Sequence, residues 1–284
     1  QKKAGLDIKY LKNNKDIKEI APNLSKKIFS ASFCPSDGHA EPLKTLQAYK
    51  IAAERNGVTF SIQEEVLKIN INNNRVDSLT TSKRNIDTHT CILANGIHCN
   101  SLLAKLKKKI PLEIPIVTVI QTEKTSKLLK PVIGVANGNL AMRQELNGCF
   151  RITSGNQKWH GKIEEKNDMP YAATTLEKIK FTLGRSLEVL PKLGRCSIKA
   201  FWGGLIDLTP DAIPIIDKIE EFDGLIVASG FSGHGFGIAP AISGILSDLA
   251  MNKVPRLPID PFSFNRFEKN NIFDQENNKL TLHG

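Results

Sequence analysis

The chain has 284 residues, 40% hydrophobic and 24% charged, with a formal net charge of +10. That suits one large or two intertwined globular domains with a proper core; no run approaches the ~18 apolar residues of a membrane span, and no signal peptide is visible. Aromatics are only 6% and no basic-aromatic module appears, so the charge reads as a Lys-rich solvated face, as at Lys105–Lys109, and not as a nucleic-acid surface.

Residues 1–35 form a mixed entry segment, with a helical turn over Asp16–Ala21 and a strand over Ile28–Phe33. Pro42–Asn56 is expected to be a helix with Pro42 in its first turn, Leu43, Leu46 and Ala53 on one face, and Gly57 as its left-handed cap. Val58–Ile62 then reads as a strand. Val66–Ile71 and Arg75–Thr81 flank three asparagines, a hairpin signal because Asn tolerates positive φ. Thr90–Leu93 is a short buried strand running into Ala94–Asn95–Gly96 and a helix-like stretch, Ser101–Lys107. A buried strand ending in Gly before a helix is how α/β domains present a cofactor crevice.

From residue 110 the pattern changes. Ile116–Ile120, Val132–Val135, Leu140–Arg143 and Cys149–Thr153 read as strands, with turns at Asn137–Gly138 and Asn147–Gly148. This describes a small antiparallel sheet. Thr174–Leu190 reads as a helix. Leu225–Ala228 is a fully apolar strand, Gly230–Gly237 is glycine-dense, and Ile238–Met251 is a helix with Ile238, Ile242, Ile245, Leu246 and Leu249 on one stripe. Residues 256–284 form a polar tail, docked or loose.

The expected fold class is mixed α/β: a doubly wound domain, incomplete at its N-terminus, intertwined with an antiparallel-sheet domain. The expected boundaries are 36–108 and 200–255 for the first, 1–35 and 109–199 for the second. The five cysteines, with no close pairs and no C-x-x-C, argue against a disulfide framework and against zinc or iron–sulfur sites. They fit a reducing, cytoplasmic setting, with peripheral attachment to an anionic membrane as a second option.

Strand, glycine loop and helix in succession put free N–H groups and a positive dipole end before whatever faces Gly230–Pro240. A phosphate fits, as does a flavin edge that gains negative charge on reduction; a merely tight connection also fits. The P-loop is excluded because no Lys follows the glycines, and the nucleophile elbow because Ser232 is followed by Gly233 and His234.

Phe201–Asp217 (FWGGLIDLTPDAIPIID) followed by Leu225–Leu249 resembles the C-terminal signature of the D-amino-acid oxidase-like FAD-dependent oxidoreductases, the group of glycine and sarcosine oxidases. Cys34–Leu43 and Ile92–Gly96 fit too, and the branch with opine oxidase and hydrogen cyanide synthase looks nearest. The resemblance spans residues 5–255 and implies FAD as cofactor and oxidation of a C–N bond in an amino acid or secondary amine. Hydride would pass to flavin N5 and the imine product would hydrolyse. It places Val66 near the adenine, Ala94, Asn95 and Gly96 near the diphosphate or ribose, and Gly233, His234, Gly235, Phe236, Gly237 and Ile238 facing the flavin. Trp202, Gly203 and Gly204 would approach the isoalloxazine ring. His234 and Trp202 are the catalytic candidates. Oxygen, a quinone or partner subunits stand as electron acceptors.

Two departures matter. The family's G-x-G-x-x-G unit is absent, so the chain is expected to begin after it and to bind FAD weakly alone, or to act as a decayed fragment or a subunit active only in an assembly. Several relatives also place an Arg two residues before T-P-D, where Ile206–Asp207–Leu208 stand here. Arg143, Arg151 and His39 are therefore the substrate-binding candidates. An NAD enzyme is the weaker alternative, lacking both the glycine fingerprint and its acidic ribose partner.

Overall fold

The computed structural model describes residue 3, residues 5–166 and residues 169–269. In chain order the elements are β1 (Lys9–Leu11), α1 (Asn14–Ile20), β2 (Ala31–Phe33), α2 (Pro42–Arg55), β3 (Val66–Asn72), β4 (Arg75–Thr81), β5 (Asn85–Asp87), β6 (Cys91–Leu93) and α3 (Cys99–Leu103). Then come β7 (Pro115–Thr122), β8 (Ile133–Gly134), β9 (Ala141–Gln144), β10 (Phe150–Lys158), β11 (Glu164–Lys166), β12 (Met169–Tyr171) and α4 (Leu176–Val189). The last are β13 (Ile198–Leu205), β14 (Ile215–Lys218), β15 (Leu225–Ser229), α5 (Gly235–Ala250) and α6 (Arg266–Lys269). They gather into two compact units, Gln1–Thr59 with Ile116–Gly204, and Phe60–Pro115 with Leu205–Gly284.

The first unit carries a five-stranded sheet in the order β13-β7-β10-β9-β8. Period-two alternation sends Ile120, Met142, Phe150 and Ile152 into a core with Ile17, Val189 and Leu190. Thr175 caps α4 by accepting the Lys178 N–H. The residues between the core positions, Arg143 and Arg151 among them, point to the opposite face.

The second unit is built on the sheet β14-β15-β6, with β15 and β6 parallel. Ile215, Leu225 and Val227 face a core containing Leu93, Cys99, Leu103 and Phe267, while Ile216 and Ile226 face Ile242, Ile245 and Leu249 of α5. Cover on both faces explains why every residue of β15 is buried. The β3–β4 hairpin turns at Asn73 and Asn74, both at positive φ as expected. The chain to residue 269 is docked: Phe264 and Phe267 enter the core, and Arg266 pairs with Asp211 at 2.8 Å. The rest of the expected tail, residues 270–284, lies outside the described residues.

Several elements differ from expectation: β2 begins at Ala31 and not Ile28, and α3 spans Cys99–Leu103 and not the expected Ser101–Lys107. Val58–Ile62 is not a strand; alternation alone makes no strand without a partner edge, and Val58, Phe60 and Ile62 are exposed. Helix α2 forms, but it buries no residue fully: of the expected face, Leu43 and Leu46 are exposed and Ala53 is half-buried. Helix α5 begins at Gly235, three residues early, which moves Pro240 from the first turn to the helix interior. Lacking an N–H, Pro240 leaves the Phe236 carbonyl without its usual donor.

Candidate functional site

Parallel pairing of Val227 with Leu93 brings the carboxyl ends of β6 and β15 to the same edge of the sheet. Ala94–Gly96 and Gly230–Gly233 leave the sheet there side by side, and Ser229 Oγ donates to Gly96 O at 3.2 Å. In open α/β sheets this edge is where ligands bind. Val66 opens β3, an edge strand of the neighbouring sheet β3-β4-β5, so one side of its main chain is free of β4.

The glycine loop is held by the run before the T-P-D turn. Asp207 Oδ2 accepts the N–H groups of Gly230 (2.7 Å) and Phe231 (3.3 Å), and its carbonyl accepts that of Ser232 (3.1 Å). Thr209, buried, donates from Oγ1 to Ile213 O at 2.9 Å and sits 3.3 Å from Ser232 Oγ. Gly230 has φ +72, and a β-carbon there would lie 2.4 Å from Thr209 Cγ2. The spacing of T-P-D and G-H-G thus has a physical basis: the first segment clamps the second. Four loop N–H groups, those of Gly230, Phe231, Ser232 and His234, are used internally, so the donors left for a ligand are Gly233 and those from Gly235 onward.

Helix α5 starts behind this clamp with His234 at its N-cap, and no side chain caps it. Its first N–H groups and positive dipole end are therefore unmatched by a protein side chain. A β-carbon on Gly96 or on Gly237 would meet nothing within 4 Å, so open space lies in front of both. Phe236 and Ile238 edge that space with exposed apolar surface. An uncapped helix start with an apolar rim fits a flat ring system bearing an anionic edge, the character of a flavin.

The remaining candidates belong to the first unit. Arg143 on β9 and Arg151 on β10 are direct cross-strand partners. Glu145 Oε1 takes Arg151 Nε at 2.9 Å and Arg143 at 3.5 Å. Burial pushes the Glu145 carboxyl up, but the Arg151 hydrogen bond and both guanidinium charges outweigh it and hold it below the ordinary range. The Arg151 guanidinium lies 5.1 Å from the Trp202 ring centroid. At Gly203 a β-carbon would lie 2.6 Å from Ala172 O, so close sheet packing accounts for that glycine, and Gly204 approaches Val117. His39 is exposed in the loop before α2.

Asp207 and Glu145 were not among the sequence candidates. Asp207 had a signal: it is the one charged residue between Phe201 and Pro210. Glu145 had one in the Asn147–Gly148 turn, which sets Arg143 opposite Arg151 and demands a counter-charge.

The family model described as FAD dependent oxidoreductase matches residues 1–249. D-amino acid dehydrogenase of Helicobacter pylori (strain J99 / ATCC 700824) is 25% identical over 256 residues, 90% of this chain and 60% of the relative. Hydrogen cyanide synthase subunit HcnC of Pseudomonas protegens is 27% identical, covering 87% of this chain and 57% of its own. The crystal structure of L-proline dehydrogenase from P. horikoshii superposes with a TM-score of 0.84 at 27% identity, over 94% of this chain and 71% of that one. This chain spans 36% to 60% of the length of the first curated relatives it matches.

Proposed function

Because the chain belongs to the FAD dependent oxidoreductase family, we propose that it takes part in FAD-dependent oxidation of the C–N bond of an amino acid or secondary amine. The observation that carries this reading is the shared carboxyl edge of β6 and β15, where two glycine-bearing segments meet an uncapped helix start. FAD, when bound, supplies the hydride-accepting centre. Ala94, Asn95 and Gly96 border its phosphate side, and Gly233, His234, Gly235, Phe236, Gly237 and Ile238 its ring side. The start of α5 stabilises negative charge at that edge by its dipole and free N–H groups. Val66 offers main-chain groups to the adenine.

On the substrate side, Arg151 and Arg143 hold a carboxylate, Trp202 forms an apolar wall with Gly203 and Gly204, and His39 lies at the approach. No side-chain base is required if the amine binds neutral. The cysteines are all unpaired, in keeping with a reducing, cytoplasmic setting; no helix among the described residues is long and apolar enough to cross a membrane. A second reading, a subunit active only within an assembly, is favoured by relatives that are themselves subunits, hydrogen cyanide synthase subunit HcnC and sarcosine oxidase subunit beta. In that case electrons leave to a partner subunit or a quinone.

The test is anaerobic spectroscopy of the protein expressed from its whole gene, against a panel of amino acids and secondary amines. Bleaching of a flavin spectrum by one class supports the proposal. A protein that stays colourless in saturating FAD refutes it.

A further inference from the structure

Two guanidiniums directly opposed on neighbouring strands repel one another. Here a single carboxylate, Glu145, answers both, leaving one positive charge over. Arg143 Nε is buried without a hydrogen-bond partner among the described residues, a costly state for a charged donor. Arg151 is fixed from two directions, by Glu145 at Nε and by the Trp202 ring. Both arginine side chains remain about a quarter exposed, 26% and 25%, while Glu145 is only 12% exposed. The cluster is thus preorganised, open to solvent on the arginine side, and one anion short.

We infer that Glu145 is a specificity-determining residue: by cancelling one of the two guanidinium charges it sets this face to accept one carboxylate beside an apolar body, and to disfavour a second carboxylate. The inference rests on the reading of Arg143, Arg151 and Trp202 as the substrate face. Glu145 acts through the arginines and is not itself a ligand for the substrate. Removing its charge without its shape leaves two uncompensated guanidiniums, and a dianion then becomes the better match.

The probes are benzoate, with one carboxylate, and isophthalate, with two on a similar ring. Binding to the full chain is read from Trp202 fluorescence in a Trp159→Phe background, so that a single indole reports. With Glu145 present, benzoate binds the tighter by several-fold. In Glu145→Gln the isophthalate-to-benzoate affinity ratio rises about tenfold, as for one added ion pair in a partly buried site. Glu145→Asp keeps the charge and keeps the original preference, which separates charge from mere packing. Arg151→Ala abolishes the benzoate response.

If Arg151→Ala binds benzoate like the parent, or the parent shows no saturable response, the substrate-face reading fails and this inference with it. If Arg151→Ala loses benzoate but Glu145→Gln leaves the ratio within twofold, the face stands and the role of Glu145 is overturned. A rise in the ratio shared by Glu145→Asp also overturns it, since the charge would then not be the cause.

Discussion

Gly230→Ala probes the clamp on the glycine loop. Gly230 sits at φ +72 with its missing β-carbon 2.4 Å from Thr209 Cγ2. Forcing an L side chain into the left-handed region costs about 1–2 kcal/mol, and the overpacking adds about 1–3 kcal/mol. The alanine recovers about 0.4–1 kcal/mol through a less free unfolded chain. The net loss is therefore about 2–4 kcal/mol. Thr209→Ser removes the colliding methyl but keeps the hydroxyl that reaches Ile213 O and Ser232; alone it costs about 1 kcal/mol, the scale of one buried methyl. Together the two changes relieve the collision but not the φ strain. The double mutant is thus more stable than the sum of the singles by about 1–3 kcal/mol. Urea midpoints and slopes at 25 °C for the four proteins close the cycle. Additivity within about 0.5 kcal/mol would refute the reasoning, because it would mean that Thr209 does not fill the space above Gly230.

Asp207→Ala strips the acceptor from two loop N–H groups at a cost of about 1–3 kcal/mol, whereas Asp207→Asn keeps one oxygen and loses less; hydrogen exchange over 229–234 accelerates in the same order, and unchanged exchange in both refutes the clamp. Asp211 is held below its ordinary range: burial alone would raise its carboxyl, but the Arg266 hydrogen bonds and charge prevail. A depressed folded value gives stability that is present above the unfolded pKa of about 3.9 and lost as pH falls through the lower folded one. Arg266→Ala should shrink that acid-side contribution, leaving only what the Ile213 N–H and Thr209 supply, as read from urea midpoints down to roughly pH 2.5. Burial pushes the Cys99 thiol up to about 12, so iodoacetamide at mildly alkaline pH should label the partly exposed Cys34 well before Cys99, as mass spectrometry can follow.

Much of this was legible in the residues because local chemistry governs it. The Asn73–Asn74 hairpin, the apolar β15 and the helix after the glycines follow from turn propensity and periodicity. Where partners decide, the sequence was less informative. Val58–Ile62 alternates like a strand but forms none, and Leu43 and Leu46 on the apolar stripe of α2 stay exposed. The early start of α5 escaped notice because glycines at 235 and 237 mask a helix that tertiary packing imposes. Within the site, the glycines announced themselves, while Asp207 and Glu145 act through partners 23 residues away or across a turn, which only the fold brings together.

The central claim is that the start of α5 faces FAD, and Gly237→Val tests it most directly. The space above Gly237 is open, and an added β-carbon meets no neighbouring atom within 4 Å. In the protein expressed from its whole gene, the account predicts an unchanged urea midpoint and an FAD affinity at least about tenfold lower, a loss of ~1.4 kcal/mol. Equal FAD affinity in Gly237→Val and the parent would contradict it.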